Sequence, residues 1–149
     1  MKVKKFKNLN NKQIENIENR FKVNLPAEYK SFLKQVGGGV AEKDESNQIT
    51  LDEIDESIVL DVLYGDDENE KGNIIFWMEQ FEGELLKDAI IIGDDLLQGF
   101  IVMICKGESQ GIYYWDDSCN FECSDDENNM YWIADTFGEF LNLVNIEER

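Results

Sequence analysis

The sequence predicts an α+β domain, and three observations carry that prediction. Apolar residues recur at helical spacing near both ends of the chain, strand-like runs and a hairpin turn fill the stretch between, and the chain has the size of one core. At 149 residues, 42% hydrophobic and 11% aromatic, it can bury that core without a disulfide or a metal. The expected order is two N-terminal helices, a mostly antiparallel β-sheet and a C-terminal helix, in one domain over residues 1–149.

The first helix is expected from about Asn11 to Arg20, capped by Asn10 or Asn11, with Ile14, Ile17 and Phe21 on one face. A second follows Leu25-Pro26, where proline suits the first helical turn. Its stripe is Tyr29, Phe32, Leu33 and Val36, and Gly37-Gly38-Gly39 stops it, since glycine takes a left-handed cap at no steric cost. Residues 40–64 alternate weakly and suggest one or two strands, the second over Ile58–Tyr64. Asp66–Gly72 is a charged loop. Ile74–Leu86 is ambiguous, having helical spacing at Ile75, Met78 and Phe81 but an interruption at Gly83. The clearest strands are Ala89–Ile92, Phe100–Lys106 and Gly111–Trp115, the last two joined by a turn containing Gly107 and Gly111. A loop over 116–129 leads to the last helix. There Thr136 and Glu139 form a capping-box pattern, and Phe137, Phe140, Leu141 and Val144 supply the apolar stripe.

Charge narrows the partners. The net charge is −18, and it is unevenly spread. Residues 1–34 carry nine Lys/Arg and three Glu, net +6, and the remainder is net −24. Such a surface repels phosphates, so nucleic acid and anionic membranes are excluded as partners, whereas a basic protein surface is favoured. Solubility alone also accounts for an acidic chain. The basic start, Met1–Lys7, runs into polar residues rather than an apolar segment, which argues against export and for the cytosol. No apolar run is long enough to span a bilayer. Cys105 sits in an apolar run and is expected to be a buried free thiol. Cys119 and Cys123 lie in a polar loop and are expected to be reduced and unligated.

The chemistry of catalysis is thinly represented. With no histidine, the commonest general base and metal ligand is missing, and Ser-His or Cys-His nucleophiles are excluded. No phosphate-binding glycine loop occurs. The stretch from Asp67 to Gly72 starts like a calcium loop but places Lys71 and Met78 where ligands belong. No cofactor or metal is therefore expected. The acidic groups Asp66, Asp67, Glu68 and Glu70, then Asp94-Asp95, Asp116-Asp117 and Asp125-Asp126-Glu127, admit two readings: plain solvation of loops, or a shared partner-binding face. In Tyr113-Tyr114-Trp115 neighbouring rings alternate between faces, so core packing competes with exposure of a ring such as Trp115 beside Asp116-Asp117. An aromatic anchor inside a charged rim is the composition of a binding hot spot.

Four blocks, taken together, resemble a known family. Leu25-Pro26-Ala27-Glu28-Tyr29-Lys30-Ser31-Phe32-Leu33 with the following glycines, Ile90-Ile91-Ile92-Gly93-Asp94 with Gly99, Ile112-Tyr113-Tyr114-Trp115-Asp116, and Ala134-Asp135-Thr136-Phe137-Gly138-Glu139-Phe140-Leu141 are similar, in order, to signatures of the SUKH superfamily, Smi/Knr-type branch. One departure is a glycine where the family has Asn before its glycine pair, and the segment from Ala41 to Leu86 matches weakly. The resemblance implies a non-enzymatic SUKH-like α+β domain. In bacteria, it implies an immunity protein that binds and neutralises a cognate toxin, often a nuclease. In the eukaryotic branch it implies regulation of cell-wall synthesis. A basic nuclease groove and an acidic protein are complementary, which favours the first reading. A regulatory or scaffolding module is the alternative, and a carboxylate-based hydrolase is the third.

Overall fold

Asn10 starts the first helix by a reciprocal cap. Its side chain accepts from the Gln13 N–H at 2.9 Å, and the Gln13 side chain accepts from the Asn10 N–H at 2.9 Å. The helix, α1, runs Asn11–Phe21 in the computed structural model, which describes residues 2–42 and 47–144. Pro26, at φ −59° and ψ 149°, feeds α2 (Ala27–Gln35), whose Tyr29, Phe32 and Leu33 are buried. Gly37 and Gly38, at φ 79° and 90°, then reverse the chain. A Cβ at Gly37 would lie 2.4 Å from the Lys7 carbonyl oxygen, and one at Gly38 would lie 2.6 Å from that of Leu63. Only glycine fits this turn.

The rest is an eight-stranded sheet with two further helices. Its strands are β1 (Val3–Lys5), β2 (Gly39–Ala41), β3 (Gln48–Leu51), β4 (Glu56–Leu63), β5 (Ala89–Asp95), β6 (Phe100–Ile104), β7 (Gly111–Trp115) and β8 (Met130–Ala134). A 3₁₀ turn, Glu70–Gly72, precedes α3 (Ile74–Gln80), and α4 (Phe137–Val144) closes the described chain. The spatial order is β1-β2-β4-β5-β6-β7-β8, with β3 pairing β4 off this path. Every pairing between these strands is antiparallel. The expected α+β architecture is present.

Several details differ from expectation, each for a local reason. The third glycine opens β2 instead of ending the turn, and β2 pairs with β1, a three-residue strand among lysines that leaves no apolar alternation to read. Strand β8 also escaped, because Met-Tyr-Trp-Ile is a run of large residues rather than an alternating one. Of the ambiguous stretch 74–86, the first seven residues are helical and the rest, with Gly83 at φ 87°, are turns. Strand β5 continues to Asp95, and β6 stops at Ile104 before Lys106. Residues 43–46, within the weakly alternating middle, lie outside the described residues.

Register decides what each face of the sheet carries. In the β6–β7 pair, Phe100 opposes Trp115 and Val102 opposes Tyr113, so these four share one face. Ile101, Met103, Ile112 and Tyr114 share the other. That second face meets α2 and α4, whose rings interlock: Tyr29 and Phe137 are edge-on at 4.8 Å, and Phe32 and Phe137 lie at 5.2 Å. Each such buried ring contributes about 1.5–3 kcal/mol by burial. The first face meets α3 through Trp77 and the turn after it through Phe81, which lie 5.3 and 4.9 Å from the Phe100 ring. With seven residues, α3 covers only part of this face. The remainder, toward β8, is open.

Candidate functional site

The uncovered part of the sheet forms the floor of an open cleft of about 810 Å³. Val102 from β6, Trp115 from β7 and Met130 from β8 line it, with Ile54 on one side and Leu85 and Leu86 on the other. Ile54 comes from the β3–β4 turn, and Leu85 and Leu86 from the connection after α3. Leu86 is 58% exposed. Trp115 is 9% exposed, held by Phe81 at 5.1 Å and Phe100 at 5.7 Å, so the floor is rigid.

Five carboxylates surround this floor: Glu53, Glu84, Asp117, Asp126 and Glu127. All five are exposed, and among the described residues no Lys or Arg lines the cleft. Asp116 shapes the loop that carries three of them. It is 0% exposed, and its carboxylate accepts from the N–H groups of Asn120 (2.9 Å) and Phe121 (3.0 Å). Its own N–H donates to the Asn129 carbonyl at 2.8 Å, closing the loop's base. Asp125 turns the loop's far end by accepting from Glu127 and Asn128 N–H. Glu53 accepts from the backbone N–H of Trp132, tying the β3–β4 turn to the margin of the sheet.

The acidic residues picked out in the sequence therefore separate into three places. Asp117 and Asp126 line the cleft around Trp115, and Asp125 lies exposed beside them. Asp66, Asp67 and Glu68 line a different hollow together with Lys4, Lys5 and Lys7, where three cations balance three anions. There the Asp66 side chain accepts from Gln13, and Glu68 pairs with Lys7 at 3.3 Å on a fully open surface. Glu70 is exposed on the 3₁₀ turn. Asp94 and Asp95 belong to neither hollow. Asp95, 1% exposed, accepts from Gly99 N–H at 2.8 Å and from the Tyr114 hydroxyl at 3.0 Å, and so holds the β5–β6 hairpin. The buried carboxylates of Asp95 and Asp116 offer no surface to a partner, which corrects their place in the expected face. Their sequence neighbours gave them an exposed look that internal hydrogen bonding removes.

Asp94 is half-buried and receives the Tyr64 hydroxyl at 2.6 Å. Burial pushes its carboxyl up to about 7, with Asp61 and Asp95 adding to the shift against the lowering effect of the Tyr64 hydrogen bond. Burial likewise pushes the Cys105 thiol up to about 12. All three cysteines are free. Among the described residues no group of three or more His, Cys, Asp or Glu is placed to hold a metal ion, and no helix is long and apolar enough to cross a membrane.

The sequence model of the SMI1/KNR4 family (SUKH-1) matches residues 8–143, most of the chain. The chain belongs to this family. SUKH-1 proteins are generally non-catalytic and serve immunity or regulation. No curated protein and no solved structure matches the chain. The blocks that signalled SUKH membership go largely to the core: Leu25, Tyr29, Phe32, Leu33, Ile112, Phe137 and Phe140 are all buried. The cleft of this SUKH-1 domain takes Glu53, Ile54, Glu84, Leu85 and Leu86 from the segment that matches those signatures weakly. Sequence reasoning missed them, together with Met130, whereas Glu127 is grouped there with Asp125-Asp126. The missed residues fall in three short segments far apart in sequence, and only folding brings these to one place.

Proposed function

We propose that this chain is an immunity protein that binds and neutralises a cognate toxin domain, a basic nuclease, in the cytosol. The observation that carries the reading is the cleft: an apolar floor ringed by five exposed carboxylates and no lining cation, on a chain of the SUKH-1 family. A nuclease must present a basic groove to a polyanion, and an acidic protein can fill that groove by charge complementarity. Catalysis by this chain is a poorer reading. A hydrolytic carboxylate pair needs one member kept protonated by burial, and every carboxylate of the cleft is open to solvent.

Co-expression tests the proposal. A toxin C-terminal domain encoded beside this gene should arrest growth alone, and this chain should restore growth and co-purify with it. Toxicity without rescue or binding would overturn the immunity role and leave a regulatory or scaffolding function, as the Smi/Knr side of the family suggests.

A further inference from the structure

We propose that the cleft at the β8 end of the sheet is the docking site for an extended basic segment of the partner, one that sets Arg or Lys against the rim and an apolar side chain on the floor. The proposal rests on the protein-binding reading above and adds its location and the chemistry of the occupant. A volume of about 810 Å³ holds several side chains, and the floor of Val102, Trp115 and Met130 is preformed. Arginine and lysine suit such a place twice over, since the methylene stem lies on apolar surface while the charged head reaches a carboxylate. An anion would meet five carboxylates and no lining cation among the described residues, so phosphate-bearing ligands are rejected. The hollow beside the Asp66–Glu70 loop lacks this bias, because Lys4, Lys5 and Lys7 offset its acids. Asp116 holds the 117–129 loop in place before any partner arrives, which lowers the ordering cost of binding.

Fluorescence anisotropy on the full chain decides the matter with short labelled peptides: arginine alternating with leucine, arginine with glycine, and glutamate with leucine. The arginine–leucine peptide should bind saturably and the other two weakly or not at all. The triple variant Glu84→Lys, Asp117→Lys, Glu127→Lys should lose at least about tenfold in affinity. An equal charge change at Glu15, Glu68 and Glu108, all exposed elsewhere, should cost less than about threefold. Glu53 is left intact because it also holds the Trp132 N–H. Circular dichroism and the thermal midpoint check folding, and Leu86→Asp provides a second variant that should weaken the arginine–leucine peptide alone. Absence of saturable binding, equal binding of arginine–glycine, or equal losses in the two triple variants would each overturn the proposal.

The same variants in the growth assay separate this inference from the reading beneath it. Rescue by the wild type but not by the cleft triple variant supports both. Rescue by both refutes the docking site and leaves immunity standing. If even the wild type fails to rescue, immunity falls and the peptide titration still decides the cleft.

Discussion

Asp94 shows how one carboxyl can set the pH response of a fold. Its folded pKa of about 7 lies above the ordinary 3.8, so over that interval the native state keeps a proton that the unfolded chain has lost. Stability is therefore fullest below the unfolded value and falls as pH rises toward the folded one, levelling beyond it. Asp95, raised by burial in the same direction, adds to the slope. The thermal midpoint should decline between about pH 4 and about pH 7 and level off above that, and Asp94→Asn, which keeps an acceptor for Tyr64, should flatten the decline. A midpoint unchanged across this range would mean Asp94 is not held protonated. The same residues explain why sequence reading grouped the acids too generously. In a strand neighbouring side chains point to opposite sides, so Asp94 and Asp95 are split within β5, while the turn after β7 separates Asp116 from Asp117. Asp95 and Asp116 are buried and bonded internally, Asp94 is half-buried against the Tyr64 hydroxyl, and Asp117 reaches the surface. Adjacency in sequence is a poor guide to sharing a face wherever the backbone is extended.

Among the elements, the helices were legible and the margins of the sheet were not. Helix α1 was announced by its cap and α2 by its apolar stripe, both local signals at fixed spacing. For α4 the pattern was half right. The Thr136 hydroxyl accepts from Glu139 N–H at 3.1 Å, but the Glu139 carboxylate reaches Asp135 N–H, one residue further back than a capping box requires. Thr136→Ala should still lower stability by about 1 kcal/mol, read as a shift of the urea midpoint at constant slope. Strands β1 and β8 each depend on a partner strand for their identity, and their own residues alternate too little to declare it. The cleft was illegible for a related reason. Its floor comes from three adjacent strands and its walls from three connections, so it exists only once β4 to β8 have paired.

Over the whole molecule, the uneven charge of the sequence becomes a spatial polarity. The lysine-bearing β1 is one end of the sheet order, and the acid-rimmed cleft lies at the other, beside β8. Such a charge distribution orients an approaching cation-rich surface before contact. For the purified complex, the association rate should fall at least about tenfold between low and high salt, with dissociation changing far less, as stopped-flow mixing would record. An association rate indifferent to salt would refute steering by this end. The end strand itself has a further consequence. A strand at a sheet's margin presents unpaired backbone groups on which a foreign chain can stack and grow. Here a carboxylate from the β3–β4 turn occupies the Trp132 N–H, so that margin carries a charged stopper. A protein exposing Leu86, Leu96 and Leu97 is thereby guarded against strand-by-strand polymerisation into fibrils at that edge.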